Sequence, residues 1–180
     1  MSETWIISDT HFNHNKDFIL QPRNFSAVEE MNEKIIERWN SLVQSNDIVY
    51  HLGDMALGEV NDAVPLIKRL NGKIKLAIGN HDTDTKLKIY STLSNIEDIQ
   101  FGYRIKKGKS TFLLTHYPQL TGNYDTSKTY SIHGHTHLAD TFTEGYDLMF
   151  NTSCEALCCV PINIENIKQL IQEHLRDKNN

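Results

Sequence analysis

The sequence predicts an α/β domain built on parallel strands, and three observations lead there. Short apolar runs alternate with amphipathic helical stretches through the first half of the chain, the pattern of successive β–α–β units. Five apolar runs in all end directly in residues that bind metals or move protons: Asp9-Thr10-His11, Gly53-Asp54, Gly79-Asn80-His81-Asp82, His116 and Gly134-His135-Thr136-His137. Eight of the nine histidines fall in or beside these blocks, and His174 alone lies elsewhere. In open α/β sheets the functional loops gather beyond the carboxyl ends of the strands. Neighbouring strands are about 4.8 Å apart, so such loops converge within about a nanometre.

Taken in order, "TWIISD" reads as a strand ending on a carboxylate, followed by a polar stretch from Thr10 to Phe25. Ser26 and Glu29 have the spacing of a capping box, and Val28, Met31, Ile35, Trp39 and Leu42 recur at helical spacing after it. "DIVYHLGD" is the second strand. Asp62 to Leu70 predicts a helix with Pro65 in its first turn and Gly72 as its stop. "KIKLAIGNHD" is a third strand, and "FGYRIKKGKSTFLLTH" a hairpin turning at KKGK. "YSIHGHTH", "DLMFNTS" and "LCCVPI" are further short strands. Ile167, Leu170, Ile171 and Leu175 place one apolar face on a C-terminal helix. With no repeat, low-complexity tract or linker, residues 1–180 are expected to form a single domain. The loop "PQLTGNYDTSKTY" carries no decisive signature.

Composition bounds the function. A chain of 180 residues, 39% hydrophobic and 23% charged, has enough apolar side chains for one real core. It contains no run of about 18–20 apolar residues that could span a bilayer and no basic-then-apolar leader, so the expected location is the cytoplasm, without membrane partners. Cys154, Cys158 and Cys159 are odd in number and not spaced as CxxC, which argues against a disulfide framework and for small buried hydrophobes. A net charge of −5 disfavours nucleic acid as the partner. Two divalent ions would add four positive charges where an anion docks.

The donor set makes the chemistry specific. Asp9, His11, Asp54, Asn80, His116, His135 and His137 offer carboxylate, amide and imidazole donors and no thiolate. Seven ligands exceed the needs of one first-row ion that keeps an open position, and suit two ions sharing a carboxylate. Two ions about 3.5–4 Å apart clamp an in-line displacement and make hydroxide available near neutral pH. A phosphoryl centre is the natural substrate of such a device. His133, before Gly134, reads as a strand residue and not a ligand, and His51, before Leu52-Gly53-Asp54, as a core histidine or one that supports the ligands from behind.

The ordered set D-x-H, G-D, G-N-H-D, H, G-H-x-H resembles the calcineurin-like metallophosphoesterase superfamily, with "FNHN", "EEMN" and "HLGD" similar to a compact subgroup of bacteria and bacteriophages. The resemblance implies a four-layer α/β/β/α sandwich of two mixed sheets flanked by helices. It implies a dinuclear phosphoesterase in which a hydroxide bridging the metals attacks in line. One ion falls to Asp9, His11 and His137, the other to Asn80, His116 and His135, with Asp54 bridging. His81 then contacts the phosphate or protonates the leaving oxygen, and Asp82 orients it. The expected cofactors are two divalent ions, manganese ahead of iron, zinc, nickel, cobalt and magnesium. The expected partner is a small phosphate ester, a phosphodiester ahead of a phosphomonoester, phosphoprotein or nucleic acid. A non-catalytic scaffold of the same fold would have lost motif histidines, and none is lost. His14, Asn15 and Arg23 in the polar loop, and Tyr117 beside His116, are candidate substrate contacts. Arg23 is the one whose planar fork matches a phosphate.

Overall fold

The computed structural model describes residues 2–120, 128–143 and 145–178, so part of the loop at 118–130 lies outside the described residues. Four strands, β1 (Thr4–Ile7), β2 (Ile48–His51), β3 (Lys73–Ala77) and β4 (Ile96–Gln100), pair in parallel. With β9 (Ile162–Asn163) antiparallel on β1, they form a five-stranded sheet of order β4-β3-β2-β1-β9. Helices α1 (Asp17–Leu20), α2 (Val28–Leu42), α3 (Val60–Ile67) and α4 (Asp84–Tyr90) fall in the crossovers. The second sheet has the order β5-β6-β7-β8, from β5 (Gly102–Lys107), β6 (Ser110–Thr115), β7 (Thr129–His133) and β8 (Met149–Asn151). Its first pair is antiparallel and the others parallel. Helices α5 (Cys154–Leu157) and α6 (Ile164–Asp177) complete a fold of two mixed sheets flanked by helices.

Two cores explain why β1 and β2 read as largely apolar runs: both of their faces are covered. Ile7, Val49, Ile74 and Leu76 share one core with Met31, Ile35 and Trp39 of α2, Ile67 of α3 and Tyr90 of α4. Ile6, Tyr50 and Ala77, alternate residues on the same strands, pack with Phe112, Leu114, Tyr130, Ile132 and Phe150 of the second sheet and with Ile164, Ile167 and Ile171 of α6. Gly108, at φ +62, takes the first position of the two-residue loop that closes the β5–β6 hairpin.

Several local expectations shift. Ser26 donates from both its backbone N–H and its hydroxyl to Glu30, not Glu29, and α2 begins at Val28 with Ala27 as its cap. Leu42 at the end of that helix and Leu170 on α6 are exposed. Helix α3 starts two residues early, leaving Pro65 in its interior, and stops at Ile67. "LCCVPI" is not a strand: Cys154–Leu157 is a helical turn, Cys158 and Cys159 take left-handed φ of 50° and 57°, and extended structure resumes at Ile162. Cys154 and Cys159 are buried as expected, whereas Cys158 is exposed. Helix α1, helix α4 and strand β4 were not anticipated.

Candidate metal centre and active site

All five polar blocks lie at the carboxyl ends of strands, three from the first sheet and two from the second. The two sheets meet there. Ser8 N–H donates to the Thr152 carbonyl at 3.0 Å, Thr152 N–H to the His133 carbonyl at 2.8 Å, and Gly134 N–H to the His116 carbonyl at 3.0 Å. The β1 and β2 loops interlock as well, with Asp9 N–H on the Gly53 carbonyl and His11 N–H on the Asp54 carbonyl. Asp9, His11, Asp54, His135 and His137 all hold φ between 49° and 68°. Left-handed backbone at non-glycine residues costs free energy and collects at functional sites. Gly79 and Gly134 serve a different need: a Cβ at Gly79 would collide with the Asp54 carboxylate, and one at Gly134 with the Asp9 carboxylate and the Ser8 side chain.

The predicted ligands come together. Asp9, His11 and His137 have ligand atoms within 4.8 Å of one another, as do Asp9, Asp54 and His116. Asp54 Oδ2 lies 3.7 Å from His11 Nε2 and 3.5 Å from His116 Nε2, between the two sets. Asn80 Oδ1 is 2.8 Å from His116 Nε2, and His135 Nδ1 is 3.2 Å from the same atom. His11 Nε2 and His137 Nε2 face each other at 3.3 Å. Ring nitrogens turned on one another beside buried carboxylates suit cations held between them. Nitrogen and oxygen donors without sulfur fit divalent first-row ions. Burial pushes Asp9 up to about 6 against the opposing pull of His137 and His116, and burial with Arg23 nearby drives His11 far down. An added positive charge relieves the first, and the second leaves a neutral imidazole ready to ligate.

His81 stands at the mouth, its side chain 45% exposed and its Nε2 4.0 Å from Asp54 Oδ2. Its backbone N–H donates to Asp54 Oδ1 at 2.8 Å. His14 borders the same cleft, its ring 5.3 Å from that of His11. Tyr117 does not line that cleft; it packs on the His116–His135 part of the cluster, its ring 4.6 Å from that of His135 and 5.0 Å from that of His116. Asn15 is exposed and does not line the cleft. His51 is fully buried, stacks on Trp39 and sits 3.0 Å from the Thr10 hydroxyl. Burial and the nearby His116 push it down to about 3. His133 is buried with Nδ1 2.8 Å from the Gly134 carbonyl, inside the second sheet as expected.

Two assignments are corrected. Asp82 does not hold the His81 ring; its carboxylate accepts backbone N–H groups from Asp54 at 2.8 Å, Gly79 at 2.9 Å and Met55 at 3.2 Å, tying two ligand loops together. Arg23 is not free for phosphate. It is 7% exposed, and its guanidinium donates to Glu155 at 2.8 Å, to the Asp9 carbonyl at 2.8 Å and to the Thr10 carbonyl at 3.0 Å. The other Glu155 oxygen lies 3.0 Å from His137 Nδ1. Glu155 thus links the strut under Asp9 to the back of His137. Burial works to raise its pKa, yet His137 and Arg23 bring it down to about 2. Sequence reading missed Glu155, although "MFNTSCE" repeats the pattern of an apolar strand running into polar residues. It also missed Lys86, whose buried ammonium donates to the Ala56 carbonyl at 2.7 Å and the His81 carbonyl at 2.9 Å.

The cluster of carboxylate, amide and imidazole donors at the ends of two packed mixed sheets is a candidate centre for metal ions. The model of the calcineurin-like phosphoesterase superfamily domain matches residues 3–153. The chain therefore belongs to that superfamily and is a metal-dependent phosphoesterase. An uncharacterised protein of Methanocaldococcus jannaschii is 35% identical over 181 residues, covering 96% of this chain and 93% of its own. A protein of unknown function from Aquifex aeolicus superposes with a TM-score of 0.69 at 25% identity, over 94% of this chain and all of its own. An archaeal phosphodiesterase shares the fold, with a TM-score of 0.50 at 24% identity over 86% of each chain. Among the described residues no helix is long and apolar enough to cross a membrane.

Proposed function

We propose that the enzyme hydrolyses a small phosphodiester at a site for two divalent ions, manganese ahead of iron, zinc, nickel, cobalt and magnesium. It works as a single cytoplasmic domain. The observation that carries this reading is the place of Asp54 Oδ2, within 3.7 Å of His11 Nε2 and 3.5 Å of His116 Nε2. Asp9, His11 and His137 would hold one ion, and Asn80, His116 and His135 the other, with Asp54 shared. When bound, the ions supply Lewis acidity and an attacking hydroxide near neutral pH. The chain's own residues do the rest. His81, exposed at the mouth and tethered through its backbone to Asp54, donates a proton to the leaving oxygen. His14, beside His11, and Tyr117, beside His116 and His135, are placed to contact the bound ester. The cleft beside His81 is bordered by no lysine or arginine among the described residues, which favours a small substrate over a polyanionic nucleic acid.

The test is a chelated-and-reloaded assay comparing a model phosphodiester with a monoester across the six ions. Activity is expected to vanish with chelator, to return best with manganese, and to favour the diester. Undiminished hydrolysis in chelator would defeat the metal mechanism, and a preference for the monoester would replace the substrate assignment.

A further inference from the structure

The cleft that opens beside the candidate metal centre has about 420 Å³ of internal space. That volume falls within the usual range for drug-sized ligands, about 300–1,000 Å³, and exceeds what a bare phosphate needs. Its inner end is His11, His81 and His137. Its outer end is apolar and aromatic, made by Phe18, Ile19, Pro22 and Leu57 with His14 between the two ends. The rings form a continuous path, with His11 to His14 at 5.3 Å and His14 to Phe18 also at 5.3 Å, the last pair edge to face. Phe18 is 69% exposed. Its orientation is set by its neighbours on α1, since Ile19 and Leu20 are buried in the core and hold the short helix against it.

An exposed phenyl ring alone would carry no meaning. This ring forms the outer wall of a cleft whose inner wall is the catalytic cluster, and Glu155 is the only charged carboxylate along it among the described residues. No lysine or arginine is among the described residues that line the apolar outer end, which suits an uncharged group there. A planar ring stacks favourably on an aromatic side chain whatever its hydrogen-bonding edge. We infer that Phe18 is a stacking shelf for a planar aromatic group on the phosphate ester, as carried by a nucleoside, with His14, set at 87° to it, closing the shelf on the side of the metal centre. The inference rests on the phosphoesterase reading and adds the class of ester.

The test is calorimetric binding of AMP and of ribose 5-phosphate, which differ in the base, to the manganese-loaded protein, in wild type, Phe18→Ala and Phe18→Tyr. Wild type is expected to bind AMP about tenfold or more tightly than ribose 5-phosphate, the order that base–aromatic stacking provides. Phe18→Ala should bring the two to near equality, and Phe18→Tyr should keep the preference. Equal affinities in wild type, failure to bind either compound, or a preference that survives Phe18→Ala would overturn the shelf. The readout does not use turnover. An enzyme that hydrolyses phosphodiesters without a base preference loses only the shelf, and one that prefers AMP but hydrolyses nothing loses the proposed reaction.

Discussion

At the scale of single residues, the site divides into side chains that face the cations and side chains that hold those in place. On the proposed reading His81, exposed at the mouth, is not a ligand. His81→Ala should therefore retain its metal content while the hydrolysis rate falls by about 10²–10⁴-fold, the usual range for an acid catalyst. Metal analysis paired with single-turnover rates checks both parts. Glu155 acts through His137 and Arg23. Glu155→Gln leaves Arg23, whose side chain is fully buried, without its counter-charge, an uncompensated charge that costs about 3–5 kcal/mol. It also loosens His137, for which the loss of such a partner lowers metal affinity by about 10–100-fold. Denaturant unfolding and metal titration measure the two effects separately. The ligand candidates could be read from the chain because metals require particular side chains, and those recur after each strand. Arg23 and Asp82 were misjudged because their partners are backbone carbonyls and N–H groups brought close by folding. Glu155, 132 positions from Arg23, could not be paired with it before the fold was known.

At the scale of elements, the strand ends do the positioning. Parallel pairing of β1, β2 and β3 sets their loops side by side, and the bridge from Ser8 to Ser153 brings the second sheet to the same edge. Close approach then depends on missing side chains. Gly79→Ala should drive a methyl group into the Asp54 carboxylate, destabilising the fold by about 1–3 kcal/mol. It should also abolish most of the thermal shift that added manganese gives. Gly108→Ala, in the β5–β6 loop with nothing within 4 Å, is the control that should keep the metal-dependent shift. Thermal melts with and without manganese decide between them. Short apolar strands were readable because burial on both faces leaves few polar residues in the middle of β1 and β2. The run "LCCVPI" shows the limit of that signal. Four to six apolar residues fit a buried helical turn as well as a strand, and two left-handed cysteines separate its helical and extended parts.

At the scale of the whole molecule, the central claim is that five loops from two sheets assemble one centre for two cations. On that claim six of its seven donors would divide between the cations, and Asp54 would serve both. The order of blocks along the chain carried most of this, since each motif follows a strand and the strands share one direction at the sheet edge. The packing of the second sheet on the first through one of two separate cores was not readable, because it depends on alternate residues of β1 and β2 facing different partners. The most direct measurement is the number of manganese ions bound per chain after chelation and reloading, in wild type and in Asp54→Ala, by elemental analysis against protein concentration. The account predicts close to two ions in wild type, and in Asp54→Ala a loss of bound metal together with activity. One tightly held ion in wild type, or two ions retained by Asp54→Ala, would contradict it.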